Sequence, residues 1–119
     1  MTGTIEIEIH GVKRALVFNN FARMEIARHM DVDPIKILDS IQELNNRSPL
    51  LLIKIIVYAG HCGDCYRRQN VTDLTMDDIG DWVSEADDDT MFAIYKAFME
   101  AEGIGLPEDS IKKKTETSQ

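Results

Sequence analysis

The sequence predicts an α+β fold that is mainly α: an N-terminal β-hairpin packed on a small bundle of about five helices, followed by a disordered C-terminal tail. Three observations predict it. Residues 4–9, TIEIEI, alternate apolar and acidic side chains at period two. Asp33-Pro34 and Ser48-Pro49 each place a short capping side chain before a proline, which opens a helix without losing a hydrogen bond. Residues 104–119 are polar, charged and poor in aromatics. The predicted organisation is one helical domain with its hairpin over 1–103 and a flexible tail over 104–119.

After TIEIEI, His10-Gly11 supplies a turn and VKRALVF a second extended stretch, with Gly11 able to take the positive φ of a two-residue turn. Lys13 then faces Glu8 or Glu6 across the ladder. Ile5, Ile7 and Ile9 share one face, and Val12, Leu16 and Phe18 line a face of the return strand. A lone hairpin is marginal in water, so this face needs helices against it. Asn20 is the expected cap of a helix whose inward face is Phe21, Met24, Ala27 and Arg28, closed by Asp31. The helix opened by Asp33-Pro34 carries Ile35, Leu38, Ile41 and Leu44 as its stripe and turns at Asn45-Asn46-Arg47.

The run LLLIKIIVYAG is apolar almost all round, which predicts the most enclosed element. Ile55, Ile56 and Val57 are compatible with a strand, but the Ser48-Pro49 cap and the three leucines favour a helix ending near Gly60. Thr75-Met76-Asp77-Asp78 is a capping-box pattern with Asp78 in place of the usual Glu, opening a short helix that turns Ile79, Trp82 and Val83 inward. Asp87, Asp88 and Asp89 gather negative charge at the amino end of the last helix, where the helix dipole is positive. That helix puts Met91, Phe92, Tyr95, Phe98 and Met99 on one broad stripe, and Gly103 stops it.

The net charge of −8 is unevenly spread: nine Lys/Arg against eight Asp/Glu over residues 1–68, four against thirteen over 69–119, and eight acids with no base between Arg68 and Lys96. Such a block repels phosphate backbones, so nucleic acid is not an expected ligand, whereas a basic or amide-rich protein partner is compatible with it. No basic segment followed by an apolar run opens the chain, and the longest apolar run is interrupted by Lys54, so neither a secretory leader nor a membrane span is expected. The expectation is a soluble cytoplasmic protein whose two cysteines are thiols.

HCGDCYRR, residues 61–68, concentrates His61, Cys62 and Cys65. The two-residue gap lets two thiolates reach one metal, but the four ligands of structural zinc, or three plus water, are not supplied by a second pair in sequence. Tyr66 stands where a haem-attachment motif needs histidine, and the βαβ setting of a thioredoxin-like site is missing. Ordinary reduced cysteines at a helix-to-turn junction, no bound metal and no cofactor are therefore expected. Asp31 and Asp33 match two positions of a calcium loop, but Lys36 occupies the required glycine position and Gln42 the terminal ligand position. Asp77, Asp78 and Asp81 lack a nucleophile and base at a recognisable spacing, so an enzyme is not expected. Met91, Phe92, Phe98 and Met99 suit either core packing or an adaptable groove for a helical peptide. Trp82 is likewise a core plug or an interface anchor.

The order of these elements, TIEIEIHGVKRALVF, a helix, DPIKIL, an apolar helix ending YAG, LTMDDIGDWVSEADDD and AIYKAFMEAEG, resembles the tail assembly chaperones of long-tailed, siphovirus-like bacteriophages over residues 4–103. The resemblance implies a non-catalytic protein of the host bacterial cytoplasm, absent from the mature virion. Such a protein binds the tape measure protein, keeps its apolar surface soluble and helps recruit tail tube subunits, in many members through a longer, frameshifted form. Lys112-Lys113-Lys114 is compatible with a slippery adenine run and equally with a basic solubilising patch. A chaperone for a long rod acts in repeated copies, so self-association is an expectation, and the docking face is expected on the terminal helices, among Asp77, Asp78, Asp81, Trp82, Met91, Phe92, Tyr95, Phe98 and Met99. The alternatives are a small thiol-redox regulator using Cys62 and Cys65, and an acidic adaptor for basic proteins.

Overall fold

Strand β1 (Thr4–Ile9) pairs antiparallel with β2 (Val12–Val17) in the register Thr4↔Val17 to Ile9↔Val12 in a computed structural model that describes residues 3–103. The tail expected over 104–119 lies outside the described residues. His10 and Gly11 both take positive φ, 52° and 80°, the two-residue turn whose twist matches that of paired strands. Glu8 stands opposite Lys13, as the alternation predicts. Ile7, Ile9, Leu16 and Phe18 are buried, but Val12 at the turn is 51% exposed.

Five α-helices follow among the described residues: α1 (Asn20–Met30), α2 (Ile37–Arg47), α3 (Pro49–Arg67), α4 (Met76–Glu85) and α5 (Asp88–Ala101). The fold class read from the sequence, a hairpin on a mainly helical bundle, is thus the observed one. A 3₁₀ turn, Pro34–Lys36, precedes α2, with Asp33 accepting from the Ile35 amide as its cap. The cap of α1 is Asn19 rather than Asn20: its side chain accepts from the Ala22 amide and donates to the Gly63 carbonyl at 3.2 Å. The buried face of α1 is Ala22, Ile26 and Ala27, and Met24 points outward at 61% exposed. Ile35, on the 3₁₀ turn, is also outside the core, whose α2 contribution is Ile37, Ile41 and Leu44.

Helix α3 is the axis of the molecule. It touches β2 and every other α-helix, and Leu52, Ile56, Val57 and Ala59 are fully buried along it. It does not end near Gly60. The helix runs on to Arg67, so His61, Cys62 and Cys65 lie inside a buried helical turn rather than at a helix-to-turn junction. Its stop is Gln69, held at φ 57°, with the Asn70 amide donating back to the Cys65 carbonyl at 2.8 Å.

The internal glycines serve packing. A Cβ on Gly60 would sit 2.7 Å from the Phe18 ring and 2.8 Å from Leu16 Cβ, and one on Gly63 would collide with the Val17 carbonyl oxygen. The pair, three residues apart on one helix face, lets the backbone of β2 lie directly on α3. Phe18, seated there, meets Phe98 of α5 edge to face, ring centres 5.5 Å apart, a geometry worth about 0.5–1.5 kcal/mol beyond area burial. The end of α5 closes onto the same region: Arg23 of α1 holds the Glu102 carboxylate at 2.8 Å, and the Phe18 amide donates to the Gly3 carbonyl at 2.7 Å.

Gly63→Ala gains about 1 kcal/mol of helix propensity but must displace a backbone carbonyl; the expected outcome is a net loss of roughly 1–3 kcal/mol in urea denaturation. Unchanged or increased stability would mean that β2 does not rest on that glycine.

A second expectation concerns His29, which burial holds below the usual imidazole pKa, helped by Arg28 and opposed by Glu25. The unfolded chain then binds the proton more readily, so folding stability is full above the unfolded value of about 6.5 and falls as pH drops through it. His29→Gln should reduce the slope of that part of the stability profile, leaving the share of His61, which burial also holds below its usual pKa, measured as denaturation midpoint between about pH 7.5 and 5.

Candidate functional site

The residues predicted for a docking face divide into three groups. Asp78 is a capping residue: its carboxylate accepts from the Thr75 amide at 2.9 Å while its own amide donates to Thr75 Oγ1 at 3.1 Å, and these bonds hold its pKa below the usual carboxylate value. Asp87 is instead the N-cap of α5, its carboxylate accepting from the Thr90 amide at 2.7 Å. Asp77 and Asp81 are exposed on α4. Trp82 is half-buried against the core, its indole N–H donating to the Glu8 carbonyl at 2.8 Å, so it fastens α4 to β1.

Phe98 departs from the prediction. It is 1% exposed and belongs to the core with Ile94, which is fully buried, so it is unavailable to a partner. The inward line of α5 is Ile94 and Phe98, set by the helix's frame, and the remaining residues of the stripe flank it. Met91, Tyr95 and Met99 are half-buried, and Phe92 is 36% exposed.

Two shallow clefts run along the flanks of α5. One, about 410 Å³, lies between α5 and β1 and is floored by Ile5, Phe92, Ala93 and Ala97, with Asp89, Lys96 and Glu100 at its rim. The other, about 380 Å³, separates α5 from α2 and is lined by Leu38, Ile41, Tyr95 and Met99 with Gln42, Asn45 and Asn46. The cleft beside β1 is mainly apolar, the kind of surface that an amphipathic helix covers, whereas the one beside α2 is mainly polar, with Asp39 also in its lining.

A different cluster forms around the central helix. His61 and Cys65, one turn apart on α3, meet Asp73 of the following loop, and one ligand atom from each lies within 4.8 Å of the others. The His61 Nε2 is 3.4 Å from the Asp73 carboxylate and 3.6 Å from the Cys65 sulfur. Arg14 of β2 grips both oxygens of Asp73, at 2.7 and 3.0 Å, and holds that carboxyl below its usual pKa. Asp64, buried, is paired to Arg67 at 2.8 Å and to Arg68 at 3.3 Å. Nothing in the local pattern marks Asp73 as a partner of His61, because it lies on the loop beyond the end of α3. Continuing α3 beyond Gly60 would have put His61 and Cys65 on one face.

The thiols themselves are poor nucleophiles. Burial pushes Cys62 up to about 11, against a hydrogen bond with Tyr58 that favours the thiolate, and burial followed by the charges of Asp64 and Asp73 raises Cys65. A thiol–disulfide regulator needs the opposite, an exposed sulfur of depressed pKa. No helix among the described residues is long and apolar enough to cross a membrane. Comparison with known proteins returns no match, whether by family model, by similarity to curated proteins or by similarity to solved structures.

At neutral pH the Cys62 thiolate fraction should be ~100-fold below that of an ordinary thiol. Alkylation of native protein, mapped by mass spectrometry, is expected to proceed at least about tenfold more slowly at Cys62 than in denaturant. Equal rates would restore the redox reading.

Proposed function

We propose that this protein is a non-catalytic helix-binding module, acting by covering apolar helices of a partner. More specifically, we propose that it is a tail assembly chaperone of a long-tailed bacteriophage. Its client is then the tape measure protein, and a longer form reaches tail tube subunits. The observation that carries the reading is the mainly apolar cleft between α5 and β1, together with Phe92, Tyr95 and Met99 left partly uncovered on a helix otherwise anchored through Ile94 and Phe98. The element order, hairpin, helices, capped acidic helix and last helix, supports it as well. The exposed acids of α4 and the start of α5 supply charge that keeps a complex with a greasy rod in solution.

An acidic adaptor for basic proteins would bind through those carboxylates and lose affinity steeply with salt. Docking through the α5 clefts is driven by apolar burial and persists at high salt.

Coexpression with a phage tape measure protein tests the reading: the client should pass from the insoluble to the soluble fraction and copurify at 1 M salt. Phe92→Asp, at a side chain outside the core, should weaken the rescue while leaving the denaturation midpoint close to that of the parent. A client that stays insoluble, or a complex that dissolves at high salt, would overturn it.

A further inference from the structure

We propose that His61, Cys65 and Asp73 form a binding site for a thiophilic divalent cation, Zn²⁺ foremost, with solvent completing the coordination. The inference stands apart from the chaperone reading and involves none of the α5 residues.

The donor set is one imidazole nitrogen, one sulfur and one carboxylate oxygen, a combination that suits zinc and excludes the all-oxygen preference of magnesium and calcium. Bonds of about 2.3 Å to sulfur and about 2.0–2.1 Å to nitrogen and oxygen, at tetrahedral angles, separate ligand atoms by roughly 3.3–3.6 Å. The imidazole nitrogen already stands 3.4 Å from the carboxylate and 3.6 Å from the sulfur. The sulfur is also 3.9 Å from the other ring nitrogen, so it lies over the ring, and coordination requires the imidazole to turn about its Cβ–Cγ bond. That torsion is broad and soft. The carboxylate approaches from a loop and its side chain is 61% exposed, so the remaining gap to the sulfur closes by a shift of Asp73 together with the Arg14 guanidinium that holds it.

Two elements fix the positions. A buried helical turn spaces His61 and Cys65 one turn apart, which brings both side chains to one face. Arg14 orients the Asp73 carboxylate through two hydrogen bonds, the support that metal-binding carboxylates need, and each oxygen keeps a second lone pair for a cation. The ring, the carboxylate and Arg14 line one open concavity of about 460 Å³ with Lys13, Asp64, Arg67 and Arg68, so solvent can reach the fourth position.

The same surroundings explain why the thiol is protonated without a cation. Burial and the neighbouring carboxylates Asp64 and Asp73 disfavour a thiolate, while Arg68 and Arg14 oppose them only weakly. A divalent ion reverses that balance: the Cys65 sulfur binds as thiolate, its proton passes to solvent, and the carboxylates become stabilising partners of the ion.

The full-length chain, reduced and freed of metal, should be titrated with Co²⁺ and then Zn²⁺. Thiolate coordination is expected as a sulfur-to-cobalt charge-transfer band that Zn²⁺ displaces. Cys65→Ser should remove the band, His61→Gln and Asp73→Asn should weaken Zn²⁺ binding about tenfold or more, and Cys62→Ser should leave both intact. Should the Cys65 variant fail to fold, the parent gives the answer by itself: Zn²⁺ must slow alkylation of Cys65 at least about tenfold while sparing Cys62. Absence of the band, its survival in Cys65→Ser, its loss in Cys62→Ser, or unprotected Cys65 in the presence of Zn²⁺ would each refute the site.

Discussion

The backbone of β2 rests directly on α3, and nearly every other feature of the molecule depends on that approach. Two glycines on one helix face make it possible, because any side chain at Gly63 would meet the Val17 carbonyl and any at Gly60 would meet Phe18. The close approach seats Leu16 and Phe18 in the core, lets Phe18 meet Phe98, and so fixes the face that α5 presents inward. Asn19, at the end of β2, extends the same seam: it caps α1 and holds the Gly63 carbonyl, joining a strand, a helix start and the central helix in one residue. A hairpin that would be unstable alone is thereby built into the core.

The seam also organises the two surfaces of chemical interest. With its Ile94 and Phe98 line held against the core, α5 can offer Phe92 on one flank and Tyr95 and Met99 on the other. Because α3 continues as helix beneath β2, His61 and Cys65 stack one turn apart and Arg14 of β2 reaches across to Asp73. The clefts and the cluster thus follow from one packing decision, although they lie on different elements.

Much of the fold was legible in the sequence because its signals are local. The turn at His10-Gly11, the Thr75 capping box and the Gly103 stop each need only neighbouring residues, and each is where the pattern puts it. The failures share a cause, which is that a glycine has two uses. Gly60 reads as a helix stop, whereas the true stop is Gln69, a residue that enters the left-handed region without announcing itself. What distinguishes a packing glycine from a terminating one is the strand lying on it, a contact between residues more than forty apart in the chain. The Asp73 partner of His61 was hidden by the same misplaced helix end. Phe98 went to the wrong side of α5 for a related reason: a stripe of Met and aromatic residues wider than the buried line does not say which of its members faces inward.

The corner where Gly3 lies against Ala101 and Arg23 clasps Glu102 has a topological consequence. Gly3 and Ala101 lie in contact, so sequence order and spatial order are nearly independent there, and a chain cut to residues 3–101 and joined by a short linker would close into a ring. Opened instead between α3 and α4, where residues 69–73 are exposed, such a ring would present the same packed elements in a new order.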